Sequence, residues 1–304
     1  MSKLILIDGN AILHRAFHAL PPLTTKRGVP INAVYGLVSM LLRVIQDLKP
    51  THIAVCFDEK EPTFRHKEFA GYQAQRPPMV DELSSQFEKA KRVLGVMRVP
   101  IYSKPGYEAD DIIGTLAKLA TEISKLKNVN EVVIVTGDRD ILQLVNDNIK
   151  VYMPIVGLSS AKLMGEEEVV EKMGVAPKEI PDYKALVGDP SDNYPGVSGI
   201  GPKTAINLIQ RFKSTGEIFK SLSQINEGTR KKLEEGRENA YLSLKLAKIV
   251  LDVPITLDID KAARWDVDSK DVLALFSQYG FKTLTERVKK VGKELDQEKQ
   301  MTLI

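Results

Sequence analysis

The sequence predicts an α/β fold built on an open sheet and followed by a mostly helical region. Short runs rich in branched apolar residues, at 3–7, 52–57 and 131–136, have the length and composition of buried strands. Amphipathic stretches with helical spacing separate them. Each run is followed by an aspartate, Asp8, Asp58 and Asp138, and open α/β sheets bind ligands outside the carboxyl ends of their strands. The fold prediction therefore already carries a site prediction.

Taken in order, residues 3–7 form the first strand, and Asp8-Gly-Asn10 ends it. Residues 11–17 read as a helix, and 33–48 as a longer one with Val34, Leu37, Val38, Leu41, Leu42 and Ile45 on one face. The second strand, 52–57, ends at Asp58. Between 59 and 94 the composition changes: Phe64, Arg65, Lys67, Phe69, Tyr72, Arg76, Lys89, Lys91 and Arg92 mix aromatic and basic side chains around Pro62, Pro77 and Pro78. Aromatic faces stack on unpaired bases while cations track phosphates. Residues 79–94 also form an amphipathic helix with Leu83, Phe87, Ala90 and Leu94 inward, so the helix is expected as scaffold and 64–76 as a mobile cover. Another strand is expected over 96–102, then the turn Lys104-Pro-Gly106 and a helix over 110–126. The run 131–136 is the most convincing strand, and 149–153 reads as an edge strand. Helices follow at 165–173, 181–187, 204–212, 217–221, 230–250, 270–279 and 282–291, with Gly236 a break in the long one. Trp265 reads as a packing residue, and the charged stretch 289–300 as a frayed tail or a linker.

The acids do not all carry equal weight. Glu108, Asp110 and Asp111 open a helix, where acids commonly oppose the macrodipole. Glu108 and Asp111, three apart, can share a face, whereas Asp110 lies well around the turn. All three can ligate one ion only if Glu108 precedes the helix proper. Asp140 reads simply as a helix cap. The recurrence of acids after three separate strands makes coincidence a poor account of the set. The loop 188–205, Gly-Asp-Pro-Ser-Asp-Asn-Tyr-Pro-Gly-Val-Ser-Gly-Ile-Gly-Pro-Lys-Thr-Ala, adds Asp189 and Asp192, spaced to aim at one cation. Its back half, 196–204, is a glycine-rich turn entering a helix with Lys203 near the start, which suits a phosphate.

Composition limits the alternatives. The chain has 304 residues, 43% hydrophobic and 27% charged, with a net charge of +3, as expected of a soluble globular protein. Bases gather at 60–92, 203–237 and 282–299, around an acidic centre, which suits a polyanion held by its backbone. Lone Cys56 excludes an internal disulfide and fits a reducing cytoplasm. Asp8 comes too early for a signal peptide, and no apolar run is long enough to span a bilayer.

So many carboxylates converge only if cations neutralise them. All-oxygen ligation selects Mg²⁺ or Mn²⁺ over zinc. Two such ions roughly 3.5 to 4 Å apart activate a water and stabilise the leaving oxygen in an in-line attack on a phosphodiester. His14 and His18, four apart on a helix, lack a Cys or His partner nearby in sequence and make a poor zinc site.

Seven ordered motifs carry a family resemblance: Ile7-Asp8-Gly-Asn10, Phe57-Asp58, Thr63-Phe-Arg65, Tyr72 through Arg76-Pro-Pro, Tyr107-Glu-Ala-Asp-Asp111, Thr136-Gly-Asp-Arg-Asp140 and the loop 188–205. Together they resemble the structure-specific 5′ nuclease (flap endonuclease) family, nearest to the 5′→3′ exonuclease domain of bacterial DNA polymerase I. The likeness runs from residue 3 to about 291. It implies a central, mostly parallel sheet flanked by helices (a PIN-like core, 1–180, with an arch segment at 59–94), a helix-hairpin-helix region at 181–291 that grips duplex, and a tail or linker at 292–304.

The resemblance further implies two divalent metals, Mg²⁺ or Mn²⁺, that cut DNA at 5′ ends and 5′-flap junctions in primer removal and repair. By position Asp58, Glu108, Asp110 and Asp111, with Asp8 close by, serve one metal; Asp138, Asp140, Asp189 and Asp192 serve the other. Arg15, Arg65 and Arg76 fall where the family contacts phosphates, Phe64, Tyr72 and Gln73 fall on the arch, and Gly199, Gly201 and Lys203 on the duplex-binding hairpin, where K⁺ is expected at 196–203. The partner is DNA with a duplex and a 5′ single-strand junction. A monomer in the bacterial cytoplasm, associated with the nucleoid, is expected, with no membrane partner; a polymerase region following in the same chain would make 289–300 a linker.

One departure stands out. The family commonly has lysine directly after the arch tyrosine, where it helps neutralise the scissile phosphate, and this chain has Gln73. The loss of that charge predicts active but slower chemistry. Two competing readings are a DNA-binding module without catalysis, which needs gaps among the acids that the sequence lacks, and a compact metal-dependent ribonuclease, against which the 196–203 hairpin and the arch segment argue.

Overall fold

The computed structural model describes residues 2–127, 129–155, 157 and 160–302. Its centre is a six-stranded sheet in the order β3-β2-β1-β4-β5-β6. The strands are β1 (Ser2–Asp8), β2 (His52–Cys56), β3 (Ile101–Tyr102), β4 (Val129–Val135), β5 (Ile149–Pro154) and β6 (Ala161–Met164). The first five are parallel, and β6 runs antiparallel to β5. Pairing of Asp8 with Cys56 and of Ile7 with Val135 brings the carboxyl ends of β1, β2 and β4 level.

Alternation along these strands builds two cores. Leu4, Leu6, Ala54, Cys56, Val132 and Ile134 face one side; Ile5, Ile7, Ile53, Val55, Val133 and Val135 face the other. The first side is covered by α5 (Ala109–Lys127) and by the helices after β6: α6 (Glu166–Met173), α7 (Ile180–Val187), α8 (Pro202–Phe212), α9 (Thr215–Lys220), α10 (Glu227–Glu235), α11 (Arg237–Ala247) and α12 (Ile259–Ala262). The second side is covered by α1 (Gly9–Ala19), α2 (Asn32–Leu48), α4 (Asp81–Val96), α13 (Lys270–Tyr279) and α14 (Lys282–Thr302). A single turn, α3 (Phe64–Glu68), lies between β2 and α4. The helical region from residue 181 shares its apolar contacts with the sheet core.

Three sequence expectations need correction. The strand expected over 96–102 shrinks to β3, because α4 runs on to Val96 and buries Val93, Leu94 and Met97 at helical spacing. β5 is not an edge: β6, whose side chains are half exposed, takes that place. The stretch 289–300, expected as a frayed tail or a linker, is helical, since Leu284, Val288, Val291 and Leu295 continue one apolar stripe against the second core; of the tail or linker expected at 292–304, residues 303 and 304 lie outside the described residues. Within the segment 64–76, expected as a cover, Arg65 is 3% and Tyr72 4% exposed, whereas Lys67, Glu68 and residues 74–76 are open to solvent. Gly236 does separate α10 from α11, and Trp265 packs at the second core, its indole N–H donating to Thr51 O.

Two glycines shape the loop after α7. Gly188 has φ +75° and Gly196 φ +60°, and a Cβ on Gly196 would lie 2.2 Å from the backbone nitrogen of Gly188. Only glycine permits this backbone crossing, which fixes the 189–193 loop relative to the turn that enters α8.

Candidate active site

The strand ends assemble the site. Asp8 closes β1 and caps α1: Oδ1 accepts from Ala11 N at 2.9 Å, and Oδ2 accepts from Thr136 Oγ1 at 2.7 Å. Asp58 follows β2, accepts from Ala109 N at 2.7 Å, and donates its own N–H to Asn10 Oδ1 at 3.0 Å. These bonds dock the start of α5 beside β2 and leave Glu108, one residue ahead of the helix, facing the same space. Asp138, after β4, accepts from Asp140 N at 2.9 Å. Asp140 opens a 3-10 helix (Asp140–Leu144) but is not its cap; Arg139 holds that position and makes no side-chain capping bond. Asp8, Asp58, Glu108, Asp110, Asp138, Asp140 and Asp192 line one cavity of about 440 Å³.

Crowding acids away from water makes ionisation costly. Burial, with Asp58 and Asp138 adding to it, pushes Asp8 up to about 7 despite the bonds from Ala11 and Thr136. Burial raises Glu108 to about 7 against Arg65, and Asp140 to about 7 against Lys184. Burial and then the charges of Asp138 and Asp8 raise Asp110 well above the ordinary range. Asp189 goes the other way: burial alone would raise it, but Lys184 outweighs that and lowers it. Such a donor set suits a hard cation, and Asp140, Asp189 and Asp192 each offer an oxygen within 4.8 Å of the others.

The cations are unevenly distributed around these acids. All five N–H donors of Arg65 are spent within the protein: Nε on Leu246 O, Nη1 on Glu108 Oε2 and Asp111 Oδ2, Nη2 on Asp111 Oδ1 and Lys248 O. Asp111, fully buried, also accepts from Val250 N and Glu108 N. It does not line the cavity, contrary to the sequence expectation, whereas Arg65 does line it, with its donors engaged by Glu108, Asp111 and two backbone carbonyls. Asp192 gathers the arch segment, accepting from Arg76 Nη2 at 2.7 Å, Gln73 Nε2 at 3.2 Å and Tyr72 Oη at 3.4 Å. The single Tyr72 hydroxyl proton is shared between Asp192 and Glu108 Oε2, the latter at 3.2 Å, so its ring is a buried strut and not an open stacking face. Lys184, near the end of α7, donates to both Asp140 and Asp189. Among the described residues, Asp8, Asp58, Asp110 and Asp138 make no ion pair.

Other candidate residues lie further out. Arg15 donates to Gly157 O and Ile155 O, bracing the chain beyond β5. Phe64 is half buried against Tyr107, with the Arg65 guanidinium 4.6 Å from its ring centroid. On the hairpin, Gly199 has φ +76° and its carbonyl accepts from Lys232 Nζ, Gly201 caps α8, and Lys203 is exposed in the first turn. His14 and His18 pack on Phe87 and Phe17 respectively and share no third ligand among the described residues. The sequence reading missed Lys184, Asn10 and Thr136. Asn10 and Thr136 stand within quoted motifs; Lys184, five residues before Asp189, carries no motif of its own.

Comparison with known proteins gives a consistent picture. Residues 3–174 match the family model "5′-3′ exonuclease, N-terminal resolvase-like domain", and residues 175–270 match "5′-3′ exonuclease, C-terminal SAM fold". The chain is 40% identical over 291 residues to DNA polymerase I of Caldicellulosiruptor bescii, covering 94% of this chain and 33% of that protein. It is 39% identical over 300 residues to DNA polymerase I of Bacillus subtilis, covering 98% and 34%. It thus spans about a third of the length of these curated relatives. Among solved structures, the bacteriophage T5 flap endonuclease in a pseudo-enzyme-product complex with DNA and metal ions aligns with a TM-score of 0.66 at 19% identity, covering 95% of this chain and 97% of that one. Human GEN1 in complex with Holliday junction DNA aligns with a TM-score of 0.59 at 17% identity, covering 92% and 67%. At such identities these two likenesses establish the shared fold.

Proposed function

This chain belongs to the 5′-3′ exonuclease family, and from that premise we propose that it hydrolyses DNA phosphodiesters at 5′ ends and 5′-flap junctions with the help of two divalent cations. The observation that carries the reading is the carboxylate-lined cavity at the level carboxyl ends of β1, β2 and β4, closed on one side by the arch residues Gln73 and Arg76.

Asp8, Asp58, Glu108 and Asp110 would hold one Mg²⁺ or Mn²⁺, and Asp138, Asp140, Asp189 and Asp192 the other. Bound there, such ions lower the pKa of a water and stabilise the leaving oxygen of an in-line displacement. The protein's own residues orient the strand. Arg76, half exposed at the cavity edge, turns from Asp192 to the scissile phosphate. Gln73 supplies a hydrogen bond without charge in the same place. Arg65 and Asp111 act as an internal brace that keeps Glu108 and the arch in position. Gly199, Gly201 and Lys203 present backbone N–H groups and an ammonium to the duplex backbone, and K⁺ would bind carbonyl oxygens of the 196–203 turn. Arg15 and Phe64 contact the strand less directly. The working protein is a cytoplasmic, nucleoid-associated monomer with DNA as partner, and its relatives' length makes a following polymerase region part of the same reading.

A 5′-labelled flap DNA and a linear single-stranded RNA, each incubated with the protein in Mg²⁺ and in chelator, test this. Cleavage of the flap DNA in Mg²⁺ alone is expected. Cleavage of the RNA alone would favour a ribonuclease, and binding of intact flap DNA would leave only a binding module.

A further inference from the structure

Lys184 is not accounted for by the roles above. It lies in the last turn of α7, is 8% exposed, and directs its ammonium at one oxygen of Asp140 and one of Asp189. Those acids come from different elements, the 3-10 helix after β4 and the loop after α7. A buried ammonium reaching both does the work of a cation: it satisfies two carboxylates that would otherwise repel each other. Among the described residues, the strand-end acids Asp8, Asp58 and Asp138 have no such partner. Asp192, the third acid of this cluster, is held instead by Arg76 and Gln73.

We propose that Lys184 is a tethered cation that competes with the divalent ion for Asp140 and Asp189, and so sets how tightly that ion binds. The proposal rests on the two-metal reading of the site. Lys184 occupies one oxygen of Asp140 and one of Asp189, and the other oxygen of Asp189 accepts from Ser191 N and Asp192 N, so a divalent ion that takes these acids meets the ammonium at the same oxygens. Like charges within a few ångströms also repel strongly in a partly buried setting. Lys184 has room to yield: it borders a cavity of about 680 Å³ that Asp138, Asp140, Asp189 and Asp192 line on one side and Lys172, Tyr183 and Gly201 on the other. Ion binding at Asp140 and Asp189 therefore includes the displacement of one side chain, whereas Asp8, Asp58, Asp110 and Asp138 need displace no cation of the described chain.

The test is Mn²⁺ binding to the whole chain without DNA, followed by the electron paramagnetic resonance of free Mn²⁺, for the wild type and the Lys184→Met and Lys184→Arg variants. Melting temperatures in chelator and in Mn²⁺ accompany it. In Lys184→Met the weaker class of Mn²⁺ should tighten by about tenfold, since one charge-assisted hydrogen bond no longer opposes it, while Lys184→Arg stays near the wild type. In chelator Lys184→Met should melt lower than the wild type, and Mn²⁺ should raise its melting temperature by more. If Lys184→Met proves insoluble, Lys184→Gln carries the same expectation. Unchanged or weakened Mn²⁺ affinity in the neutral variants overturns the proposal and leaves the metal reading standing. Absence of Mn²⁺ binding by the wild type overturns the metal reading itself.

Discussion

Replacing Arg65 by alanine should unfold this protein more readily before it impairs any contact with substrate. The guanidinium is 3% exposed and makes all its hydrogen bonds inside the fold, two of them to a fully buried Asp111. Its removal leaves that carboxylate without a counter-charge, which costs about 3–5 kcal/mol. Stability in globular proteins is only about 5–15 kcal/mol, so Arg65→Ala should lower the melting temperature by roughly 5–10 °C. Lysine restores the charge but cannot form the bidentate fork, and Arg65→Lys should fall between. Arg65→Met combined with Asp111→Leu should recover most of the loss, because the pair is then removed together. Urea titrations of the four proteins, with flap cleavage assayed at a temperature where all are folded, decide the matter. Arg76→Ala provides the contrast: with its side chain 53% exposed, it should slow cleavage and leave stability within about 0.5 kcal/mol. An Arg65→Ala protein as stable as the wild type but unable to cut DNA would show instead that Arg65 serves the phosphate and not the fold.

Three further outcomes are expected. Asp110→Asn should weaken Mn²⁺ binding in a calorimetric titration, whereas Asp111→Asn should reduce stability and leave Mn²⁺ affinity within a few fold, since Asp110 faces the cavity and Asp111 faces Arg65. Gln73→Lys should raise the single-turnover rate on a flap substrate by roughly tenfold; a fall would show that the pairing of Gln73 with Asp192 is needed as it stands. The chelated protein should melt at a lower temperature at pH 8 than at pH 5. Asp8 and Glu108, raised from 3.8 and 4.5 to about 7, favour the folded state while protonated, and that contribution is lost as pH rises through about 7. The loss is about 2–4 kcal/mol, and saturating Mg²⁺, which binds the ionised acids, should remove most of it; a chelated melting temperature that rises with pH contradicts this.

Much of the architecture was legible because it is written locally. The β1, β2 and β4 runs are branched and apolar on both faces, as a parallel strand covered twice must be, and the acids that follow them mark the carboxyl edge. β6 was missed because Ala161-Lys-Leu-Met164, half exposed at the edge, has no such composition. α14 was cut short because Lys and Glu obscure the stripe Leu284, Val288, Val291 and Leu295, although its spacing is helical. The site was legible as a set of acids but not as a set of directions. Asp110 and Asp111 are neighbours in sequence, and successive residues on a helix point well apart, so only one of them can share the cavity. What Arg65 and Lys184 do depends on partners 46 and 44 residues away, Asp111 and Asp140, and no local pattern encodes such pairings.

Carboxylates at the sheet edge that hold the metals, with a 196–203 hairpin that sets the distance to the duplex, would place the cut at the flap junction. Mapping, at single-nucleotide resolution, the products of a 5′-flap substrate in Mg²⁺ for the wild type and Asp138→Ala tests it most directly. One dominant cut within a nucleotide or two of the flap junction is expected, abolished in Asp138→Ala and in chelator. Cuts scattered along the single strand, or cleavage that survives in Asp138→Ala, would contradict it.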